Sequence, residues 1–177
     1  MKRLVVVGNG RAATAFLNQI QHDRRDFAIT VFGDGNPPRR PAWYQAREIS
    51  LRVGVRVIAV DRHARVVTGS DGSRTTYDRL ILAIGRSDLR LPGLLVGHAL
   101  IVNRSFETSD GYIYAIGDCV EIRDARWEAT LDKQARILAS HLAEEAIGIE
   151  LAQVKSERKL FVVTKCESVQ RNEALIA

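Results

Sequence analysis

Leu4-Val5-Val6-Val7-Gly8-Asn9-Gly10-Arg11-Ala12-Ala13 is a continuous apolar run that turns directly into a G-x-G-x-x-A loop. Such a run reads as a strand buried on both faces. Within the loop, Gly8 allows a tight turn and Gly10 lets backbone approach a pyrophosphate. The small Ala13 lets the next helix pack closely on the sheet. That helix is signalled by Ala13, Phe16, Leu17 and Ile20, which recur at i, i+3, i+4 and i+7 on one face. Its N-terminal N–H groups favour an anion at the loop. Ala28-Ile29-Thr30-Val31-Phe32 then reads as a second strand, so the unit is strand, glycine loop, helix, strand, with nucleotide binding as its implication. Asp34 follows near the point where a nucleotide fold places an acid on ribose hydroxyls. A lone acid after a strand is equally an ordinary solvated turn residue, and Gly33 fills the slot nearest the strand.

Working outward, Pro37-Pro38 and Pro41 interrupt regular structure, and Trp43 to Glu48 reads as a short helix. Val53, Val55 and Val57 alternate, Arg65-Val66-Val67-Thr68 forms a further strand, and Ser70-Asp71-Gly72-Ser73 turns the chain before Thr75-Thr76-Tyr77. These read together as a small antiparallel meander. Arg79-Leu80-Ile81-Leu82-Ala83 returns to a solid apolar run and ends at Ile84-Gly85, where a doubly wound sheet exposes backbone to its ligand. Leu100–Val102 and Ile113–Ile116 read as further strands. A stripe of Leu131, Ala135, Leu138, Ala139, Leu142 and Ala146 predicts a helix within 126–146. The expected fold is therefore α/β, a Rossmann-like domain with a parallel sheet plus the small meander. It spans residues 1–147, and residues 148–177 form a tail in which Lys159–Val163 reads as a strand. Asp118 stands directly after Gly117 at the end of an apolar strand. A carboxylate buried there is costly unless donors meet it. Ligand hydroxyls and backbone N–H groups are one answer, and a cap on the following helix is the other.

At 177 residues and 46% hydrophobic content, the chain is long enough for one well-buried domain and short for two. The net charge of +5 arises from 26 basic and 21 acidic residues that are interspersed, so no nucleic-acid stripe is read. Arg24-Arg25 and Arg39-Arg40 are short pairs that read as solvated loops, with a cofactor phosphate as the alternative for Arg39 or Arg40. Leu4–Val7 is far shorter than a signal h-region or a membrane span, which implies a soluble, cytoplasmic protein without a membrane partner. Cys119 and Cys166 form no redox pair. His22, His63, His98 and His141 lack ligand spacing, so no metal site is expected.

Gly8–Ala13, Tyr77-Asp78-Arg79-Leu80-Ile81-Leu82-Ala83-Ile84-Gly85, and Thr108-Ser109 through Asp118 resemble the three FAD motifs of the pyridine nucleotide-disulfide oxidoreductase superfamily. Ile29–Gly33, Trp43-Tyr44 and Asp118-Cys119-Val120-Glu121 are most similar to the branch of the NAD(P)H-nitrite reductase large subunit and rubredoxin reductase. The resemblance covers about residues 1–147. It implies a flavoprotein oxidoreductase in which Gly8 and Gly10, with Ala13 behind them, face the pyrophosphate. Asp34 or its neighbour would meet the adenosine ribose, Val57 the adenine, and Ala83 and Gly85 the middle of the cofactor. Gly117 and Asp118 would meet the ribityl chain.

The family inserts a second glycine-loop domain, for NAD(P)H, between the middle and last motifs. Here only Leu94–Ala99 separate Pro92-Gly93 from the strand at Leu100, fewer than the roughly dozen residues of one crossover connection. The stretch leading to the flavin ring is reduced to Gly35–Ala42, and Ile84 stands where the family usually has Thr. NAD(P)H is thus implied only as an external donor, with no site recognised for it. A redox partner protein, or a second copy of the chain, is an expected associate. A non-catalytic FAD-binding module and an NAD(P)-binding Rossmann protein are the competing readings. No catalytic acid, base or nucleophile is assigned, because the flavin carries the chemistry in this family.

Overall fold

The computed structural model describes residues 1–21, 27–85, 91–92, 99–123 and 129–146. The expected strand at 159–163, the pair Arg24-Arg25, His22, His98 and Cys166 lie outside the described residues. Five strands form one parallel sheet: β1 (Lys2–Val7), β2 (Phe27–Gly33), β3 (Ser50–Val53), β7 (Arg79–Leu82) and β9 (Ile113–Ala115), in the order β3-β2-β1-β7-β9. Its central strands are the apolar runs of the sequence, and Leu4, Val6, Val31, Leu80, Ile81 and Leu82 are fully buried. Each such side chain contributes about 1.5–3 kcal/mol through burial.

Helix α1 (Arg11–Ile20) buries Ala13, Phe16, Leu17 and Ile20, the stripe read from the sequence. The short α2 (Pro41–Gln45) starts with proline, whose fixed φ suits a first helical position. Its Trp43 ring is covered by Arg47 at 4.3 Å and Arg39 at 5.9 Å. A three-stranded antiparallel meander, β4 (Val57–Asp61), β5 (Val66–Gly69) and β6 (Arg74–Thr76), stands between β3 and β7 in the chain. Two further strands, β8 (Leu100–Val102) and β10 (Val120–Ile122), pair in parallel as a separate ribbon. A helix, α3, occupies 131–146.

One expected strand divides in two. Val53 ends β3 in the parallel sheet, whereas Val57 begins β4 in the meander. Gly54 takes φ +76 between them, a left-handed conformation that stops an extended run and that glycine adopts without strain. The chain clusters into two compact units, Met1–His141 and Leu142–Ala177, and of the second only 142–146 are described. No helix among the described residues is long and apolar enough to cross a membrane.

At the amino end of the sheet, Arg3 ties the start of β1 to the turn before β7. Its Nε and Nη2 donate to the two carboxylate oxygens of Asp78 at 3.0 and 2.8 Å, and its backbone N–H donates to Asp78 Oδ2 at 2.7 Å. Nη1 also donates to Thr76 Oγ1. The Arg3 hydrogen bond holds the Asp78 carboxyl down at about 2, against an ordinary value of 3.8. Because the folded value is depressed, the stabilisation is present above the unfolded value and is lost as pH falls from about 4 through about 2. Urea midpoints should therefore drop across that window, and Asp78→Asn should flatten the part of the drop due to this carboxylate. An unchanged acid profile in the variant would remove Asp78 as a source.

Candidate functional site

Strand register brings the glycine loop, the end of β2 and the end of β7 to one edge. Val7 pairs with Phe32 on one side and Leu82 on the other, and Leu82 pairs with Ala115. The next residue of each strand, Gly8, Gly33, Ala83 and Ile116, therefore stands at the carboxyl edge of the sheet. Backbone hydrogen bonds carry the ladder one step further: Gly8 N–H donates to Phe32 O (2.7 Å), Ala83 N–H to Val7 O (2.8 Å) and Ile116 N–H to Leu82 O (3.0 Å). From β1 the chain winds outward to β2 and β3, and β7 then begins the other side. This reversal is the switch point at which open α/β sheets hold ligands.

Gly8 is forced. Its φ is +104, and a Cβ there would lie 2.2 Å from the carbonyl oxygen of Ala83. Gly10 is different: nothing lies within 4 Å of a Cβ added to it, so its surroundings are open. It stands at the N-cap of α1, where no side chain caps the helix and no acid occupies the first turn. The first turn of α1 thus has no acid of its own and begins at the open surroundings of Gly10, an arrangement that suits a phosphate.

Asn9 is a residue that the sequence reading passed over. It is buried, and its Nδ2 donates to Gly35 O at 2.6 Å, fastening the glycine loop to the segment after β2. A Cβ at Gly33 would lie 2.2 Å from Asn9 Cγ, so glycine at position 33 is what seats this amide. Asn9→Ala should lower the unfolding free energy by about 1–2 kcal/mol through loss of a buried hydrogen bond. A urea midpoint equal to that of the parent chain would show that the clamp contributes nothing.

Asp34 lies just beyond this clamp and is paired. Arg56 Nε donates to its Oδ2 at 2.7 Å, and Nη2 of the same guanidinium lies 2.6 Å from that oxygen. The Arg56 hydrogen bond holds the Asp34 carboxyl below its ordinary value. Both side chains are at least half exposed, so solvent screens the pair and its role in stability is small.

Gly8, Gly10, Asp34, Val57, Ala83 and Gly85 line one cavity of about 460 Å3 together with Asn9 and Arg56. That volume falls in the range of small-molecule sites. Its lining also includes the apolar Val57, Ile58, Leu91 and Pro92, and the backbone N–H of Val60 donates to Pro92 O at 2.9 Å. Ala13 is on the buried face of α1 and does not line the cavity, nor do Gly117 and Asp118.

Gly117 has φ +92, and a Cβ there would lie 2.9 Å from that of Ala12 in the first turn of α1. Its N–H donates to Gln134 Oε1 of α3 at 2.8 Å, and Gln134 Nε2 donates to Ala129 O at 3.0 Å. The expectation of a buried, costly carboxylate at 118 is corrected, since Asp118 is exposed. The strand has already ended at Ala115, and the left-handed turn at Gly117 carries the next side chain outward. Cys119 is fully buried, and burial pushes its thiol up to about 11, which makes it an inert packing residue. Among the described residues, no group of three or more His, Cys, Asp or Glu is placed to hold a metal ion.

A family model for pyridine nucleotide-disulphide oxidoreductases matches residues 43–154. The chain belongs to this family. Members of the pyridine nucleotide-disulphide oxidoreductase family bind FAD and use NAD(P)H. Putidaredoxin reductase CamA of Pseudomonas putida is 30% identical over 191 aligned positions, covering 97% of this chain and 42% of that protein. The nitrite reductase (NADH) large subunit of Escherichia coli is 29% identical over 108 positions, covering 47% of this chain and 12% of its own length. This chain therefore spans less than half the length of both relatives. Among solved structures, the ferredoxin reductase for the CYP199A2 system from Rhodopseudomonas palustris shares the fold, with TM-score 0.69, 14% identity, and coverage of 81% of this chain and 76% of that one. The α/β class, the parallel sheet with its small meander and the family resemblance read from the sequence all hold.

Proposed function

We propose that the chain binds FAD across the carboxyl edge of its sheet and passes electrons between an external NAD(P)H donor and a redox partner protein. The observation that carries this reading is the cavity at the switch point, where Gly8 is pressed on Ala83 and Gly10 leaves the uncapped start of α1 open. These residues fit a dinucleotide. A pyrophosphate lies at Gly8 and Gly10, against the first N–H groups of α1, whose first turn carries no acid. The adenosine ribose meets Asp34, held in place by Arg56, and the adenine rests on Val57 and Ile58. From the end of β2 to the end of β9 are three strand spacings of about 4.8 Å each, which an extended dinucleotide spans to bring its far end to Gly117 and Asp118.

Bound FAD supplies the redox chemistry, taking up a hydride and releasing electrons. The chain's own part is to bind and orient. Gln134 fixes the Gly117 turn by accepting its N–H, which defines the backbone that carries the exposed Asp118. With too few residues between Pro92 and β8 for a nested NAD(P)H domain, the hydride donor arrives from solution or from another protein.

The test is a visible absorption spectrum after incubation with FAD and desalting, followed by anaerobic NADH and then a ferredoxin or rubredoxin acceptor. Retained flavin that NADH bleaches and the acceptor reoxidises is the expected result. Retained flavin that stays oxidised with NADH alone and is reduced only with another protein present narrows the role to that of a carrier. Absence of retained flavin overturns the assignment.

A further inference from the structure

We propose that Gln134 is a positioning residue for the flavin end of the cofactor. Its side-chain amide is a strut that holds the Gly117 turn to the start of α3, and through that turn it sets where the Asp118 carboxylate stands. The proposal rests on the reading that FAD runs from the glycine loop to Asp118. What it adds is a residue outside the three FAD motifs, on a helix that the sequence presents only as an apolar stripe.

Both polar atoms of the amide are engaged. Oε1 accepts the Gly117 N–H at 2.8 Å and Nε2 donates to Ala129 O at 3.0 Å, while the backbone N–H of Gln134 donates to Thr130 O at 2.9 Å and seats the residue in the first turn of α3. A carboxamide carries a donor and an acceptor at one tip and can close such a bridge, whereas an apolar side chain of the same length cannot. Gly117, at φ +92, packs so close to α1 that an added Cβ would lie 2.9 Å from that of Ala12. Beyond Asp118, Cys119 is fully buried and its carbonyl accepts the Leu100 N–H at 2.8 Å. Asp118 is therefore an exposed residue between two anchored neighbours, one held by the core and the other by Gln134. Hydrogen bonds weaken steeply with misalignment, so a strut that fixes the backbone next to Asp118 acts on a ligand it does not itself touch.

The experiment is a double-mutant cycle on the full chain. FAD dissociation constants from calorimetry and the visible circular dichroism of bound flavin are read for the parent, Gln134→Met, Asp118→Ala and the double variant. Methionine keeps the length of the side chain and deletes both hydrogen-bonding groups, and far-ultraviolet circular dichroism checks that each chain is folded. Asp118→Ala is expected to weaken FAD binding about tenfold or more, the loss of a hydrogen bond to a charged group. Gln134→Met is expected to weaken it about fivefold and to alter the visible dichroism, and in the Asp118→Ala background to do neither, since residues that act through one contact are not additive. Gln134→Ala makes the same deletion with a strong helix former and carries the cycle should methionine unfold the chain. Parent affinity in the folded Gln134 variants, no effect of Asp118→Ala, or a Gln134 loss that persists undiminished in the Asp118→Ala background each overturns the proposal and leaves the FAD reading standing. A parent chain that binds no FAD removes the FAD reading and the proposal with it.

Discussion

Gly8→Ala should cost the fold about 2–5 kcal/mol and abolish flavin retention with it. Two penalties combine at this position. An alanine at φ +104 is held in a backbone region that L-residues avoid, and its methyl carbon would lie 2.2 Å from Ala83 O and 2.8 Å from Ala83 C. Both atoms belong to backbone at the end of β7, so no side chain can rotate away. Relief requires β1 and β7 to separate at their carboxyl ends, where Ala83 N–H donates to Val7 O. A domain of this size has a total stability of about 5–15 kcal/mol, so such a loss takes a large fraction of it. Urea unfolding followed by circular dichroism measures the effect. A variant with the parent midpoint would mean that the close approach of Gly8 to Ala83 is absent in solution.

The sheet that makes Gly8 so constrained was legible because its central strands are buried on both faces. Leu4–Val7 and Leu80–Leu82 are continuous apolar runs with no competing helical period, and α1 shows one clean stripe. Strand β10 escaped notice because Val120–Ile122 has three residues, none of them fully buried, and pairs only with β8. The alternation of Val53, Val55 and Val57 concealed a break, since a period of two cannot reveal that Gly54 turns left-handed and that two different sheets share the segment.

At the site, glycines could be read from their spacing, because their role is local to a strand-to-helix turn. Asn9, Arg56 and Gln134 could not. Their partners stand 26, 22 and 17 residues away, and only the folded register brings them together. The burial expected at Asp118 was not met for a related reason: the run Ile113–Ile116 before it suggested burial, while a single positive φ at Gly117 intervenes and Asp118 is exposed.

Gly10→Ala separates the fold from the ligand. Gly10 has φ −78 and ψ −158, an extended conformation open to alanine, and a Cβ there meets no atom within 4 Å. The variant loses a favoured N-cap residue and gains from a less flexible unfolded chain, so its stability without ligand should stay within about 1 kcal/mol of the parent. The same methyl group enters open space at the cavity lining, where the proposed pyrophosphate would lie. Accommodating it requires the phosphates to withdraw, at a cost of about 1–3 kcal/mol, the usual range for overpacking, which is a five- to 150-fold loss of FAD affinity. Denaturation midpoints and flavin titrations on the same preparation read the two effects separately. Intact stability with weakened flavin binding is the pattern that a backbone cradle for pyrophosphate requires. Unchanged affinity would place the cofactor away from Gly10, and a collapse in stability would make Gly10 a structural glycine like Gly8.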